Sequence, residues 1–337
     1  MRSLVIGLGR SGAHLHLPVL LRLRRTAPGL ITDGPIIGCD PAGPGTAELT
    51  WTATVEQAAR LLDPGHTVAH VCTPPATRVR ILTELAACGF RNIVVEKPLA
   101  VDEDDLAEIL RLRQHHGLRL AVVAPWLAST LTRRLVRLVR GGRLGPLRSL
   151  SVVQSKPRFR RSLAAACHPT AFDVELPHSV GVALYLAGGA EVTAASCTDL
   201  VLDGRRAPHM GGAEVRLRHA TGVDTRLRSD LAAPVRERRV TLRFEQGTAT
   251  GHYAIGADDD HAQLAVSTGG GFEHAVLPDD SLGTFLLDAY RGFAEPGDVR
   301  PADLELAAEV VRVLTAAKSH AGVERLATAG RTEHGVR

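Results

Sequence analysis

The chain has 337 residues, of which 45% are hydrophobic and 23% charged, and its formal net charge at pH 7 is +4. This length favours two domains, and the composition is that of a folded globular protein, which excludes a disordered chain. No apolar run is long enough for a transmembrane helix, so we expect no membrane partner. Basic residues are spread along the chain without interleaved aromatics, so nucleic-acid binding is not expected.

The N-terminal stretch is "MRSLVIGLGRSG". Its apolar run is too short for the hydrophobic region of a secretion signal and leads directly into glycines. We interpret it as the first strand of a cytoplasmic protein. The cysteines are odd in number and widely spaced, which argues against a disulfide framework and against a metal site and predicts buried thiols. They are Cys39, Cys72, Cys88, Cys167 and Cys197.

Short apolar runs alternate with helical patterns over residues 1–124, which predicts a parallel α/β domain. The predicted strands are residues 3–9, 35–40, 67–73, 92–97 and 119–124. The predicted helices are residues 12–25, 54–62, 76–88 and 102–116.

The pattern changes after residue 124, where strands follow one another without crossover helices, as in an antiparallel sheet. We predict an α+β domain over residues 125–320 with a large open, mainly antiparallel sheet, and a polar tail over residues 321–337. Its predicted helices are residues 129–140, 172–187, 281–293 and 302–318. Its predicted strands are residues 147–155, 191–202, 213–219, 223–231, 238–246, 248–255 and 261–267.

A G-x-G-x-x-G sequence lies between the first predicted strand and the first helix. In that context Gly7 permits a tight turn, Gly9 lets a pyrophosphate approach the backbone, and Gly12 lets helix and strand pack closely. An ordinary strand–helix turn is the alternative. The cofactor-binding residues predicted here are Gly7, Leu8, Gly9, Arg10, Ser11 and Gly12.

The second predicted strand ends in Asp40, which is followed by "PAGPG" and no arginine. A carboxylate in this position accepts hydrogen bonds from the ribose hydroxyls and repels a 2′-phosphate. The sequence therefore predicts NAD as the cofactor, with NADP less favoured.

The glycine loop, "VCTPPATR" (71–78) and "EKPLA" (96–100) together resemble the Gfo/Idh/MocA oxidoreductases, which are NAD(P)-dependent sugar and cyclitol dehydrogenases. The resemblance implies that Lys97 reaches the substrate hydroxyl beside the nicotinamide, where an ammonium stabilises the developing negative charge. The alternative is that Lys97 is merely an exposed charge at the strand end, which the scarcity of lysine, three residues in the chain, argues against. Pro98 would hold this lysine in place, and Glu96 would orient it or frame the nicotinamide pocket.

The resemblance also implies that Thr73 and Pro74 lie beside the adenosine and pyrophosphate. His16 belongs to the same resemblance, and we expect it to pack or to cap rather than to take part in the chemistry.

The same family carries an Asp and a His four residues apart at the start of a second-domain helix, with the His as acid/base. In "FDVELPHSVGVALYLAGG" (172–189) the histidine position corresponds to His178, but Val174 stands four residues before it. Asp173 and Glu175 are the two candidate partners, and Pro177 near the helix start leaves both able to reach. We rank Asp173 slightly above Glu175. His178 has the intrinsic pKa of a general base.

Two further features concern the substrate. Trp126 stands where many relatives carry a polar pair, and it would stack on a sugar face or fill the domain junction. The basic cluster "SKPRFRR" (155–161) would meet a phosphate or nucleotide, or form a solvated loop. The predicted substrate-binding residues are Lys97, Trp126 and His178.

These features predict an NAD-dependent dehydrogenase for a secondary alcohol of a sugar, cyclitol or nucleotide-linked sugar. The alternatives are a glycoside-cleaving enzyme that retains its NAD and a catalytically idle NAD-binding regulator. The resemblance further implies a homodimer or homotetramer formed through the open sheet.

Overall fold

The computed structural model of the protein describes residues 1–43, 48–164, 168–256, 259–297 and 301–323. The predicted tail, apart from its first three residues, and Cys167 lie outside these ranges. No helix of the described residues is long and apolar enough to cross a bilayer.

The first sheet is parallel throughout its described pairings. Its strands are β1 (Arg2–Ile6), β2 (Ile37–Cys39), β3 (Thr50–Thr52), β4 (Thr67–Val71), β5 (Asn92–Val95) and β6 (Arg119–Val122). They lie in the order β3-β2-β1-β4-β5-β6, which is the doubly wound Rossmann order. The intervening helices are α1 (Leu17–Thr26), α2 (Val55–Ala59), α3 (Arg78–Ala87) and α4 (Glu103–His116).

Helices α5 (Pro125–Ala128) and α6 (Thr130–Gly141) lead from β6 into the second sheet. Its strands are β7 (Leu147–Ser155), β8 (Ala190–Leu202), β9 (Arg205–His219), β10 (Asp224–Asp230), β11 (Glu237–Phe244), β12 (Gly247–His252), β13 (His261–Thr268) and β14 (Gly271–Pro278). The order is β14-β13-β12-β11-β7-β10-β9-β8, and of the described pairings only β7 with β10 is parallel. Burial alternates along β10, β11 and β13, as in a sheet with one face on the core and one face open.

The remaining helices are α7 (Phe159–Leu163), α8 (Ala171–Val174), α9 (Leu176–Ala187), α10 (Ser281–Ala294) and α11 (Pro301–His320). Helix α9 is buried almost all round between the second sheet and α11. Helix α11 joins both cores, because Leu304 and Val311 pack under the first sheet while Leu314 and Ala317 pack under the second. Helix α10 packs with α1 on the other face of the first sheet.

The predicted fold class is confirmed, and the differences are local. Strands β3 and β14 and helices α5 and α7 were not predicted, since each is short or follows a polar sequence. The helix predicted over residues 172–187 is divided at Glu175 into α8 and α9. Pro177 explains the break, because it has no N–H to donate to the carbonyl of Asp173. Division of the chain at residue 124 remains a prediction, since α10 and α11 both contact the first sheet.

Candidate functional site

The glycine loop has the geometry of a pyrophosphate cradle. Gly7 has φ +86°, which glycine adopts without strain, and a Cβ on Gly12 would lie 2.0 Å from the carbonyl oxygen of Gly7. Gly9 instead faces open space, with nothing within 4 Å of where a Cβ would stand. Arg10 is exposed and Ser11 half-buried, and the chain becomes helical here, in a π-helical turn (Gly12–His16) that continues into α1. The first backbone N–H groups of this helix have no intrahelical acceptor. An anion therefore fits over Gly9 at the start of this helix.

Asp40 lies just beyond β2 and ties that strand end to the glycine loop. Its Oδ2 accepts from the Leu8 N–H at 2.7 Å and its Oδ1 from the Ala42 N–H at 2.9 Å. The exposed Trp51 donates from its indole to the main-chain oxygen of Asp40, also at 2.9 Å. The carboxylate is half-buried, and each oxygen retains a lone pair for a ribose hydroxyl.

The loop that follows β4 lies against the glycine loop. A Cβ on Gly7 would meet the Thr73 methyl group at 3.0 Å, so only glycine allows this approach. The Thr77 hydroxyl donates to the carbonyl of Pro74 and can accept from the hydroxyl of Thr73, both at 2.9 Å, which fixes the loop. The structure thus brings Thr73 and Pro74 to the same edge as the predicted pyrophosphate site.

Lys97 leaves the sheet just after β5 and reaches across to the second-domain helices. Its Nζ donates to the carbonyl oxygen of Val174 at 2.7 Å, and the peptide bond to Pro98 is cis. Burial lowers the pKa of Lys97 to about 8; Glu96 opposes this shift and the fully buried Arg78 adds to it. Arg78 also makes a long contact of 3.5 Å from Nη2 to the carbonyl of Lys97.

Behind Lys97 lies a buried chain of hydrogen bonds that the sequence did not predict. Glu96 Oε1 pairs with His16 Nε2 at 3.2 Å, and His16 Nδ1 meets His70 Nδ1 at 2.9 Å. His70 Nε2 meets the Tyr290 hydroxyl at 2.9 Å, which contacts Ser3 Oγ at 2.6 Å. His16 thus packs, as expected, but as a charged member of this network.

More than one placement of protons satisfies every contact in that chain, and the following one carries a charged His16. A doubly protonated His16 donates to Glu96 and to His70, His70 donates to Tyr290, and Tyr290 donates to Ser3. Burial opposes the charge on His16, but the hydrogen bonds and charges of Cys72 and Glu96 raise the pKa of His16 to about 10. Burial and the neighbouring His16 cation lower the pKa of His70 well below its ordinary value.

His178 and Trp126 line one small cavity together with Lys97. It holds about 80 Å³ of free space, enough for a few water molecules, and is otherwise lined mainly by apolar side chains of α5, α9 and α11. The Trp126 ring stacks on His178 at 5.6 Å and on Tyr253 at 4.1 Å between centroids. Burial, together with the charges of Lys97, Arg238 and Lys156, lowers the pKa of His178 well below its ordinary value. His178 is therefore a neutral imidazole near pH 7.

The two carboxylates considered as partners of His178 are engaged elsewhere. Asp173 Oδ2 accepts from the backbone and hydroxyl of Thr170, and its Oδ1 pairs with Lys318 at 2.6 Å. Glu175 pairs with Lys156 through Oε1 and accepts from Gln154 through Oε2. Neither carboxylate has a hydrogen bond with His178 among the described residues. The expected Asp–His pairing is thus not formed in this structure.

Several site residues were missed by the sequence analysis, although one signal pointed to them. All three lysines of the chain meet consecutive residues at the α8–α9 junction: Lys318 meets Asp173, Lys97 meets Val174, and Lys156 meets Glu175. The scarcity of lysine could have identified the other two.

Part of the basic cluster at 155–161 is buried and part of it is exposed. Lys156 is half-buried and Arg158 is buried, whereas Arg160 and Arg161 are exposed. Burial, and then the charges of Lys97, Arg158, Arg78 and Arg161, lower the pKa of His168 to about 3. The buried part of the cluster is therefore not a solvated loop, and its contact with a substrate phosphate or nucleotide stays a prediction.

A larger groove, of about 770 Å³, lies on the open face of the second sheet. It is lined by basic side chains such as Arg228 and Arg239 but includes neither Lys97 nor His178. Since it lacks both of these groups, the smaller cavity is the candidate active site.

No protein-family model matches the sequence, and no curated protein matches it. Solved structures match along the whole chain. KijD10 from Actinomadura kijaniata, a 3-ketoreductase solved with NADP and TDP-benzene, has 15% identity and a TM-score of 0.79 over 95% of this chain and 98% of that one. An NAD-binding oxidoreductase from Klebsiella pneumoniae has 15% identity and a TM-score of 0.76, covering 96% and 97%.

A third structure, described as an NADPH-dependent oxidoreductase from Desulfitobacterium hafniense, has 13% identity and a TM-score of 0.77 over 95% of each chain. At these identities the likeness shows the fold. The chain therefore has a Rossmann-like domain followed by a mixed-sheet domain, an architecture that it shares with nicotinamide-dependent oxidoreductases.

Proposed function

We propose that the protein is an NAD-dependent dehydrogenase or reductase that interconverts a secondary alcohol and a ketone on a sugar, cyclitol or nucleotide-linked sugar. The observation that carries this proposal is the meeting of Lys97 and His178 at one cavity, at the carboxyl edge of the parallel sheet. Open α/β sheets bind their ligands at that edge. The glycine loop and Asp40 supply a dinucleotide site on the same edge.

The cofactor would lie with its pyrophosphate over Gly9 and its ribose at Asp40, and its nicotinamide would exchange hydride with the substrate carbon. Lys97, as an ammonium, stabilises negative charge on the substrate oxygen as the carbon–oxygen bond changes order. His178, as a neutral imidazole, accepts a proton in the oxidation direction. Trp126 holds the imidazole ring by stacking, in the absence of a bound carboxylate.

Nucleotide-linked sugars are favoured among the substrate classes by charge. Burial comes first, but Arg78 and Arg158 also lower the pKa of Lys97, and Lys97, Arg238 and Arg158 lower the pKa of Lys156, so several cations interact with Lys97. An anionic substrate is attracted to such a site. KijD10, with the same fold, was solved with TDP-benzene. NAD is preferred to NADP on the Asp40 argument, although KijD10 carries NADP.

Calorimetric titration with NAD and NADP, followed by an absorbance screen with sugars, cyclitols and nucleotide-linked sugars, tests this function. Tight NAD binding with NADH formation on any polyol supports it. If neither cofactor binds and no NADH forms, the dehydrogenase proposal is contradicted. Glycoside turnover with copurified NAD and no net NADH would favour the NAD-retaining glycosidase. NAD binding without turnover, unchanged by substituting Lys97 or His178, would favour the idle regulator.

Localisation and assembly belong to the proposal as well. We propose a cytoplasmic homodimer or homotetramer associated through the open face of the second sheet, where Phe272, Val276 and Val201 are exposed. Light scattering at micromolar concentration checks the assembly, and a monomer mass would contradict it.

A further inference from the structure

The cavity shared by Lys97 and His178 restricts the chemistry of the substrate, because most of its wall is apolar. Among the described residues that line it, the polar side-chain groups are few and belong to Lys97, Trp126, His178, Tyr185 and Asp303. The other lining residues are alanines, valines, leucines, prolines, one phenylalanine and one glycine. Lys97 and His178 are assigned to the reacting oxygen, so the groups on the neighbouring carbons of the substrate face the rest of this wall.

The cavity has a buried inner end and an accessible mouth. Trp126, at the inner end, is 5% exposed and stacks on the His178 ring. Tyr185 marks the mouth, because 44% of this residue is exposed. Asp303 is half-buried in the first turn of α11, where a carboxylate stabilises the helix terminus, and it takes part in an interaction of its own. The inner part of the cavity therefore offers a substrate the groups of Lys97 and His178 and little else that is polar.

Gly181 widens the cavity between these two ends. It follows His178 by three residues and precedes Tyr185 by four in α9, so all three lie on one face of the helix. Alanine is favoured over glycine inside a helix. Among the described residues a Cβ on Gly181 would have one neighbour within 4 Å, Val310 Cγ2, at an ordinary contact distance of 3.7 Å. Packing therefore does not require glycine here, and the missing side chain leaves free space against Val310.

Such a wall discriminates against hydroxyl groups. A substrate hydroxyl that leaves water without finding a hydrogen-bond partner loses binding free energy, whereas a CH₂ or CH₃ group in the same place gains contact. One hydroxyl of this kind separates two substrates by about tenfold to 100-fold. A sugar or cyclitol with a hydroxyl on every carbon is therefore a poor match for this cavity.

We propose that the substrate is a cyclic secondary alcohol or ketone whose carbons next to the reacting carbon carry hydrogen or alkyl groups instead of hydroxyls. These carbons lie against Gly181, which sets the space available to them, and the outer part of the ring packs on Tyr185. Gly181 and Tyr185 are thus specificity-determining residues. The inference rests on the proposed dehydrogenase function and narrows its substrate class to deoxygenated rings.

A series of alcohols with one ring and an increasing number of hydroxyls tests the substrate class. Cyclohexanol, a vicinal cyclohexanediol and myo-inositol share the six-membered ring and are assayed with NAD by the formation of NADH. The kcat/KM should fall along this series, by about tenfold for the first added hydroxyl. Turnover of myo-inositol with a kcat/KM equal to or above that of cyclohexanol overturns the proposal and leaves the dehydrogenase function intact.

Binding can be measured without turnover through the fluorescence of Trp126. The chain has two tryptophans, and the W51F variant keeps only the one that lines the cavity. Cyclohexanol should change the Trp126 emission and bind about tenfold or more tightly than myo-inositol. Equal or tighter binding of myo-inositol, or no response to cyclohexanol, overturns the proposal. If this preference is found but no alcohol forms NADH, the dehydrogenase function is contradicted and the apolar character of the cavity stands.

Calorimetric titration of cyclohexanol in the presence of saturating NADH shows whether alcohol and cofactor occupy separate spaces. The NADH complex cannot oxidise the alcohol, so only binding is measured, and the affinity for cyclohexanol should be kept. Loss of cyclohexanol binding in the presence of NADH would mean that the nicotinamide fills this cavity, and would overturn the proposal.

The chain offers a matched pair of glycine substitutions for the role of Gly181. G181A places a methyl group in the free space against Val310, so the affinity for cyclohexanol should fall about tenfold while stability in urea is kept or rises. G189A makes the same change at an exposed glycine just after α9, where a Cβ would have nothing within 4 Å, and should leave the affinity unchanged. Equal affinities in G181A and G189A would overturn the role of Gly181.

Tyr185 is tested by separating its ring from its hydroxyl. Y185F keeps the ring and should bind cyclohexanol as the unmodified protein does, whereas Y185S removes the ring and should bind it about tenfold more weakly. Equal losses in Y185F and Y185S would show that the hydroxyl makes the contact, and would overturn the apolar role of Tyr185.

Discussion

The ammonium of Lys97 donates to the main-chain oxygen of Val174 at 2.7 Å, and this contact joins the end of β5 to the end of α8. Val174 stands four residues before His178, where the sequence resemblance predicted a carboxylate, and it meets Lys97 through its backbone oxygen and not through a side chain. This neutral acceptor adds no formal negative charge to those of Glu96 and Asp173, which already favour the Lys97 ammonium. The ammonium is therefore available to the oxygen of a bound substrate.

Substituting Lys97 by methionine is expected to lower kcat by about 100-fold or more, because charge stabilisation at the reacting oxygen is lost. The Kd for NAD, measured by calorimetry, should change little because the glycine loop and Asp40 are unaffected. An equal loss of NAD affinity and kcat would contradict the assigned role.

The pH dependence of the unmodified enzyme provides a second measurement on this residue. Since the pKa of Lys97 is lowered to about 8, the ammonium predominates below that value and is lost as pH rises through it. The contribution of Lys97 to kcat in the oxidation direction should therefore fall above about pH 8. In K97R the charge persists, so this decline should disappear from whatever activity remains. A decline of the same midpoint in K97R would assign it to another group.

The stacking of Trp126 on His178 leads to a prediction about substrate size and proton transfer. Replacing Trp126 by alanine removes the ring that stacks on His178, so kcat should fall. It also enlarges the cavity, so the kcat/KM of bulkier substrates should rise relative to that of smaller ones. W126F retains a ring and should lie between the two. Relative kcat/KM over a substrate series measures this, and an unchanged series in W126A would show that Trp126 only fills the domain junction.

The elements near the site were predictable to different degrees for physical reasons. Gly7, Gly12 and Asp40 were predictable because a backbone turn and a strand end fix their positions locally. The pairing of Asp173 with Lys318 was not predictable, because the two residues come from α8 and α11 and meet only after both domains pack. His16 was expected to pack, but its link to Glu96 depends on the folding of β5 beside α1.

Asp40 should decide between the two dinucleotides. In D40S the carboxylate that would repel a 2′-phosphate is removed, while a hydroxyl keeps some hydrogen bonding. Its Kd for NAD should rise and its Kd for NADP should fall, with a change in their ratio of about tenfold or more, that is about 1.4 kcal/mol. Trp51 contacts Asp40, so its fluorescence in a W126F background reports occupancy of this end of the site. An unchanged ratio would remove the Asp40 argument for NAD.

The buried pair His16–Glu96 should make stability depend on pH in a defined direction. The pKa of His16 is about 10 in the folded protein against an ordinary value of 6.5, so the folded state binds this proton more tightly. Its contribution to the free energy of unfolding is therefore complete below about pH 6.5 and is lost as pH rises toward 10. H16Q keeps a hydrogen-bonding side chain but not the charge, so the buried Glu96 loses its hydrogen-bonded cation and retains only the charges of Lys97 and Arg78. This loss should cost about 3–5 kcal/mol.

Urea unfolding of the unmodified protein and of H16Q at several pH values measures this difference. The gap between the two proteins in their free energy of unfolding should be widest near pH 6 and should narrow toward pH 10. The unmodified protein loses the His16 contribution over that interval, whereas H16Q has no such contribution. E96Q/H16Q, which removes both charges, should recover part of the loss of H16Q, since no unpaired carboxylate remains buried. A gap that stays constant between pH 7 and 10 would mean that folding takes up no proton at this pair, and would contradict the charged His16.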